Sequence, residues 1–199
     1  MSFIETVSRE AATGTTREIY ETAEASSGYI PNYARLFSQR PEVFKAWQNL
    51  SAAIRQNMSL RRYELVTLAA AHTLGGTYCM LAHGDTLLNN GEVDEAQLAA
   101  IATDYHQAGL AADEVAIMEF AEKVIMKAHS VTQADVDRLK SFGLADAEIL
   151  DITLAAAARS FFSKTLDALN AEPDPKYLKL NADLRSALAV GRPFGYKKR

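Results

Sequence analysis

The chain has 199 residues, 48% of them hydrophobic and 23% charged, with a formal net charge of −4. That is the composition of a folded globular chain, long enough to bury a core in one domain. The acidic balance argues against nucleic acid or an anionic membrane as the main partner. The one basic run, Lys197-Lys198-Arg199, reads as a solvated end rather than a docking patch.

The opening segment, MSFIETVSRE, has no basic stretch followed by an apolar run, so a secretory signal is not expected. Nowhere do about 18 apolar residues follow one another without a charge, so no membrane helix is expected either. One cysteine, Cys79, leaves no internal disulfide to form, which suits a reducing compartment. The expected location is the cytoplasm.

Taken in order, the chain reads as helix after helix. Ile19 to Ala25 has the pattern of a short helix that breaks at SSGYIPN. Pro41 fits the first turn of the next, which carries Val43, Phe44, Trp47, Leu50 and Ile54 on one face. Ser59 is a suitable N-cap for a helix from Leu60 to about Leu74, interrupted by Gly75-Gly76. Thr77 then opens another, with Cys79 at its second position, and this helix runs to Asn90 with Gly91 past its end. Asp94 and Gln97 have the spacing of a capping box for a helix that ends near Gly109.

From Asp113 to Ala128, apolar residues recur every three or four positions, as one face of a helix requires. Thr132 opens a short helix that Gly143 stops. The last long helix, Asp146 to about Leu169, is apolar on nearly every side between Ile152 and Phe162. It is expected at the centre of the core or in a subunit contact. Pro173 and Pro175 end it, and the tail from Lys176 reads as a short helix and an arm. The fold class is all-α: a single domain over 1–199, with a core motif at 60–90 and a C-terminal arm at about 176–199.

The chemistry collects around GGTYCMLAHG, residues 75–84. At a helix N-terminus, unpaired backbone N–H groups and the helix dipole favour an anion, so the position of Cys79 favours a thiolate. His83 is four residues on and shares its face. Glu64, on the preceding helix, folds back beside them if the glycine pair reverses the chain, and a carboxylate there orients the imidazole or relays its proton. The structural alternatives are a small buried thiol for Cys79, an interface histidine for His83, and a dipole-stabilising carboxylate for Glu64.

These residues carry a resemblance. The run YELVTLAAAHTLGGTYCMLAHG is similar to the core motif of the alkylhydroperoxidase D-like and carboxymuconolactone decarboxylase family: a glutamate, then Cys-x-x-Cys at the start of the next helix, then a histidine four residues after the second cysteine. Glu64, Cys79 and His83 match. Gly76 stands where the family has its first cysteine, and Tyr78 where some members carry a further histidine. GYIPNYARLFSQRPEVFKAW and the downstream helices through EPDP also resemble the peroxidase-related branch.

The resemblance implies an AhpD-like helical bundle. It also implies a thiol-dependent, peroxidase-related oxidoreductase, with Cys79 as nucleophile, His83 as acid/base and Glu64 as orienting carboxylate. With Gly76 in place of the first cysteine, an external thiol must reduce the oxidised Cys79. A second reading is a decarboxylase-like enzyme in which His83 moves a proton on a small carboxylic acid and Cys79 only lines the pocket. The third is a non-catalytic binding or structural member.

The expected substrate is a small peroxide or a small acid, with no cofactor, and the family implies a homo-oligomer (dimer, trimer or hexamer). His72, Tyr78 and Arg159 are candidates for the substrate pocket, and Arg61 and Arg62 for holding a substrate carboxylate. Arg159 interrupts an apolar helix, and its structural alternative is a buried ion pair. A zinc site from His72, Cys79, His83 and Glu64 is disfavoured, since only Cys79 and His83 have convenient spacing. His106 and His129 sit near helix C-termini and need no function. Phe161 and Phe162 are expected as core or pocket wall.

Overall fold

In the computed structural model, residues 2–194 are described; the basic run at 197–199 lies outside them. Among the described residues the fold is all-α, with the helices α1 (Gly14–Ser27), α2 (Asn32–Leu36), α3 (Pro41–Arg55), α4 (Leu60–Thr73), α5 (Thr77–Asn89), α6 (Glu95–Asp104), α7 (Ala112–Lys127), α8 (Gln133–Ser141), α9 (Asp146–Ala168) and α10 (Ala182–Leu188). None is long and apolar enough to cross a membrane.

The centre of the bundle is α4, packed against α5, α7 and α9. Its residues Tyr63 to Ala71 are all buried, including Glu64 and Thr67. Ser59 caps it by accepting the Arg62 backbone N–H at 3.2 Å. At its other end the two glycines have separate roles. Gly75 takes the left-handed conformation (φ +69) that the end of a helix requires. Its N–H donates to the His72 carbonyl and that of Gly76 to the Ala71 carbonyl, the two bonds of a Schellman motif. The chain reverses there, and α5 returns alongside α4.

The sequence expectation placed α9 at the centre or in a subunit contact. Ile149, Ile152, Ala156, Phe162 and Leu166 are buried, but Leu150, Leu154 and Phe161 are 56%, 40% and 46% exposed. These three share one stripe at spacings of four and seven. On α3, Phe44, Trp47 and Ile54 are buried, whereas Val43 and Leu50 flank that face and are 43% and 51% exposed. All five were expected on the inner face, and only three reach it.

The first helix begins at Gly14, five residues earlier than its apolar pattern indicates. The added turns are held by tertiary contacts, with buried Thr16 donating its hydroxyl to the Ser38 carbonyl. The short α2 was not expected at all. Its first N–H donates to the Asp174 carboxylate at 2.8 Å, a partner 142 residues away. Only half of the expected capping box at α6 forms: Asp94 accepts the Gln97 N–H, but the Gln97 side chain donates to the Ala108 carbonyl instead of returning.

The C-terminal segment packs rather than hanging free. Leu184 and Leu188 are buried, and Leu188 approaches the space beside Gly84. The segment then crosses the α4–α5 turn so closely that a Cβ on Gly191 would sit 1.8 Å from the Gly75 carbonyl oxygen. Only glycine fits at 191.

Candidate active site

The helix α5 carries the two residues of the motif, and it faces two different neighbours. Its N-cap is Gly76, not Thr77, so Cys79 is the third residue of the first turn rather than the second. The Thr77 hydroxyl instead accepts the Gly191 N–H at 3.0 Å. The shift arises because the Schellman motif already fixes Gly76 at the start of α5. Cys79 still lies within the first turn, where the dipole acts.

On the α4 side, the His83 Nδ1 and the Glu64 carboxylate are 2.5 Å apart. Glu64 is 2% exposed and the His83 side chain 17%. Burial lowers the His83 pKa below the ordinary histidine value, the Glu64 charge opposes this, and the Arg159 charge reinforces it. A lowered His83 pKa favours the neutral imidazole, and with Nδ1 engaged by Glu64 the other ring nitrogen, Nε2, is left for a further partner.

On the α9 side lies a group that motif spacing did not indicate. The Cys79 thiol, 2% exposed, accepts the Ser163 hydroxyl at 3.0 Å and an Arg159 Nη1–H at 3.7 Å. Arg159 also donates from Nη2 to the Tyr63 hydroxyl at 3.3 Å. His83 is not among the hydrogen-bond donors to Cys79 among the described residues. The two share a helix face, but α9 meets the first turn of α5 while α4 meets the next.

Arg159 itself is 4% exposed, and its partners are a sulfur and a phenol instead of the carboxylate that an ordinary buried ion pair would supply. Burial alone would lower its pKa; the facing Cys79, Tyr63 and Glu64 outweigh this and raise it. Its Nε–H has no hydrogen-bond partner among the described residues.

Cys79, His83, Tyr63 and Arg159 open onto one cavity of about 440 Å³. Its wall is partly aromatic, with Trp47 stacked on Phe162 at 4.9 Å between centroids, and partly polar, with Gln48, Ser51 and Thr86. Tyr78 is also in the wall. Its hydroxyl donates to the buried Asp174, and burial first, then that carboxylate, raises its pKa. Tyr78 is thus a held wall residue that keeps its proton.

Three candidates do not join the site. His72 is exposed and does not line the cavity. Eight residues past Glu64 on a helix, it is rotated about 80° off the Glu64 face at roughly 100° per residue. Arg61 and Arg62 are committed elsewhere, each at 2.5 Å from a carboxylate, Glu114 on α7 and Glu148 on α9. These pairs tie the start of α4 to its neighbours. His106 bonds Asp104 and Glu119 at the surface, His129 is exposed, and Phe161 is half-exposed beside Trp47.

Ser163, Tyr63, Arg55 and Asp174 escaped sequence reasoning. Ser163 had a signal: it follows Arg159 by four positions on the same apolar helix, so the two polar groups share a face.

Residues 41–123 match the model of the carboxymuconolactone decarboxylase family. The match covers about two-fifths of the chain, including Glu64, Cys79 and His83. A comparison with curated proteins returns no match. Among solved structures, the chain is similar to a peroxidase-related protein with an alkylhydroperoxidase AhpD core from Ralstonia eutropha JMP134, with a TM-score of 0.81 and 21% identity over 88% of this chain and 94% of that one. A peroxidase-related protein from Silicibacter sp. TM1040 matches with a TM-score of 0.74 and 21% identity over 88% and 90%. The debrominase Bmp8, in complex with 2,3,4-tribromopyrrole, matches with a TM-score of 0.69 and 14% identity over 94% and 96%. At these identities the likeness establishes the AhpD-like fold. The family and fold contain more than one enzymatic activity, and this chain keeps one cysteine of the motif pair.

Proposed function

We propose that the protein is a thiol-dependent oxidoreductase in which Cys79 reduces a hydroperoxide. The seat of the Cys79 sulfur carries this reading: it lies in the cavity wall, 3.0 Å from the Ser163 hydroxyl and within reach of the Arg159 guanidinium. The buried guanidinium has a sulfur and a phenol rather than a carboxylate as its hydrogen-bond partners, with the Glu64 charge acting on it without a hydrogen bond, so an anion at one of those partners offsets the cost of burying it. Of its two partners a thiol ionises more readily than a phenol, at about 8.5 against about 10 in free side chains. The geometry therefore suits a thiolate.

In the proposed reaction the thiolate attacks the terminal peroxide oxygen and the O–O bond breaks. The sulfur is oxidised to a sulfenic acid, and the alkoxide leaves as the alcohol. The proton it needs is the one released by the thiol, carried by His83 through Nε2, with Glu64 holding the ring. Two equivalents of an external thiol then return the sulfenic acid to the thiol, giving one disulfide and one water. Gly76 supplies no internal sulfur for that step.

The test is brief exposure of the intact protein to hydroperoxide with a sulfenic-acid-selective trap, read by mass spectrometry at Cys79. Rapid adduct formation is expected. An inert thiol would overturn the reading in favour of proton transfer by His83 on a small carboxylic acid, which the Glu64–His83 pair could perform alone.

We also propose self-association, for which the exposed stripe Leu150, Leu154 and Phe161 is the physical support. Sedimentation at micromolar concentration should show little monomer, and Leu154→Glu with Phe161→Glu should shift the protein to monomer. Wild-type sedimentation as a clean monomer would sink the proposal.

A further inference from the structure

The cavity at Cys79 has a chemical character that the reaction above does not require. A thiolate needs only an oxygen atom to attack, yet the approach to it is walled by rings, among them Tyr33, Phe44, Trp47, Tyr78 and Phe162. At about 440 Å³ the space exceeds what a peroxide group fills and falls within the range of small-molecule sites, about 300–1,000 Å³. The rings already pair with one another, Tyr33 edge-on to Tyr78 and to Phe162, and Trp47 stacked on Phe162. Aromatic side chains pair favourably with a further ring, either stacked or edge-on.

The charge of the lining is opposite to that of the chain. Its cations are Arg55, Arg159 and Lys176, in a protein of net charge −4. Lys176 is already 3.3 Å from Asp85. Arg159 is nine-tenths buried with its Nε–H unpartnered among the described residues. Arg55 is exposed in the last turn of α3 and lies 5.2 Å from the centroid of the Tyr63 ring. It pairs with no carboxylate among the described residues, so at the open side of the cavity it is held by no partner but water. Tyr63 thus stands between two guanidiniums, one over its ring and one on its hydroxyl.

The lining carboxylate, Asp174, accepts the Tyr78 hydroxyl and the Asn32 N–H. Its charge is spoken for, and that of Arg55 is not. An aromatic cavity with an uncommitted guanidinium is complementary to a ring carrying an anion.

We propose that the cavity binds a planar aromatic carboxylate, its ring among the aromatic walls and its carboxylate on Arg55. Resting on the thiol-oxidoreductase reading, the hydroperoxide reduced at Cys79 then belongs to this class: an aromatic acid whose peroxide group is directed at Cys79 while its carboxylate stays at Arg55.

Trp47, the chain's single tryptophan, lines this cavity and reports its occupancy by fluorescence. Intact protein is titrated with 4-isopropylbenzoate, with the primary amide of that acid, and with octanoate. The benzoate should quench saturably, with an affinity at least about tenfold above those of the amide and octanoate, as a charge-assisted hydrogen bond allows. Arg55→Gln should bring the benzoate down to the amide, while Lys127→Gln, on the far helix α7, should leave all three unchanged.

Equal binding of acid and amide would overturn the proposal, and so would octanoate as tight as benzoate, the absence of any quench, or a preference that survives Arg55→Gln. These titrations need no turnover, so the two readings fail separately. Benzoate binding with an unreactive Cys79 removes the peroxide chemistry alone, and a reactive Cys79 without benzoate binding removes the ligand class alone.

Discussion

The two sides of α5 are built differently. Toward α4, Glu64 and His83 form a local pair, joined across a single tight turn and 19 residues apart. Toward α9, Cys79 meets Arg159 and Ser163, which are 80 and 84 residues away. The first side holds an imidazole against a carboxyl group, and the second holds a sulfur against a cation and a hydroxyl. On the reading proposed above, proton handling and anion stabilisation sit on separate helices, and the helix between them contributes one residue to each. Such a division can be attacked from either side.

The largest effect is expected on the α9 side. Arg159→Met removes the cation that faces the sulfur while keeping the volume apolar. Trapping of oxidised Cys79 should slow about 100-fold, the scale of losing one preorganised charge-stabilising donor. Ser163→Ala removes one neutral hydrogen bond and should slow it roughly fivefold, in line with about 1 kcal/mol. If both variants label at the parental rate, the α9 side is structural and the division fails.

Gly76→Cys asks whether the motif can be completed without disturbing either side. The φ of Gly76 is −84°, open to any residue, so the left-handed strain belongs to Gly75 and not to Gly76. An added Cβ would lie 3.2 Å from the Ser163 hydroxyl oxygen and 3.4 Å from both the Ser163 Cβ and the Asp167 carboxylate, so Ser163 must give by a few tenths of an ångström. A 76–79 disulfide should form, and turnover with a dithiol reductant should rise several-fold while the first oxidation stays nearly unchanged, since such a spacing bridges readily. A folded variant without a disulfide under mild oxidation would contradict this.

The coupling between the sides can be read at His83. Its pKa is lowered, so its NMR titration midpoint should fall below about 6.5, the ordinary value. Glu64→Gln should move the midpoint further down, because that carboxylate pulls it up, and Arg159→Met should move it up. The sign for stability follows. Below about pH 6.5 the unfolded chain takes up the proton first, so this stabilisation is complete above that pH and is lost as pH falls. A midpoint above 6.5 would mean that the attraction of Glu64 outweighs burial.

The smallest effect is expected at Asp167, beside the α9 group, whose pKa is pushed up to about 6 by burial despite nearby Arg192. A carboxyl raised in the folded state favours folding at low pH and loses that contribution as pH rises through its folded value. Asp167→Asn should therefore raise the melting temperature by a degree or so at pH 8, on the scale of a few tenths of a kcal/mol, and leave it unchanged near pH 4. A gain at pH 4 that matches the gain at pH 8 would exclude ionisation as its cause.

The division between the sides is also one of legibility. Glu64 and His83 could be placed together because Gly75-Gly76 reverses the chain within a few residues and a helix puts positions four apart on one face. The same rules placed Cys79 on that face and suggested His83 as its partner. They could not say that α9 would reach the sulfur first. Arg159 was visible as a charge in an apolar helix, but its partner was not, since helical periodicity orients a residue around its own axis and says nothing of which neighbour it meets.

What the sequence determined by itself is local: the all-α class, the helix ends at Ser59, Gly75 and Gly91, and the Glu64–Cys79–His83 motif. Each follows from the φ preference of glycine, from capping hydrogen bonds, or from the 3.6-residue period, and these act within a few residues of chain. The tertiary structure decided the rest. It brought Arg159 and Ser163 to the Cys79 thiol, and it left Leu150, Leu154 and Phe161 of α9 exposed while burying Glu64 and Thr67 within α4. It also carried residue 191 across the α4–α5 turn. Burial depends on where a helix lies among its neighbours, and hydrogen bonds between distant residues form only after packing has fixed that place.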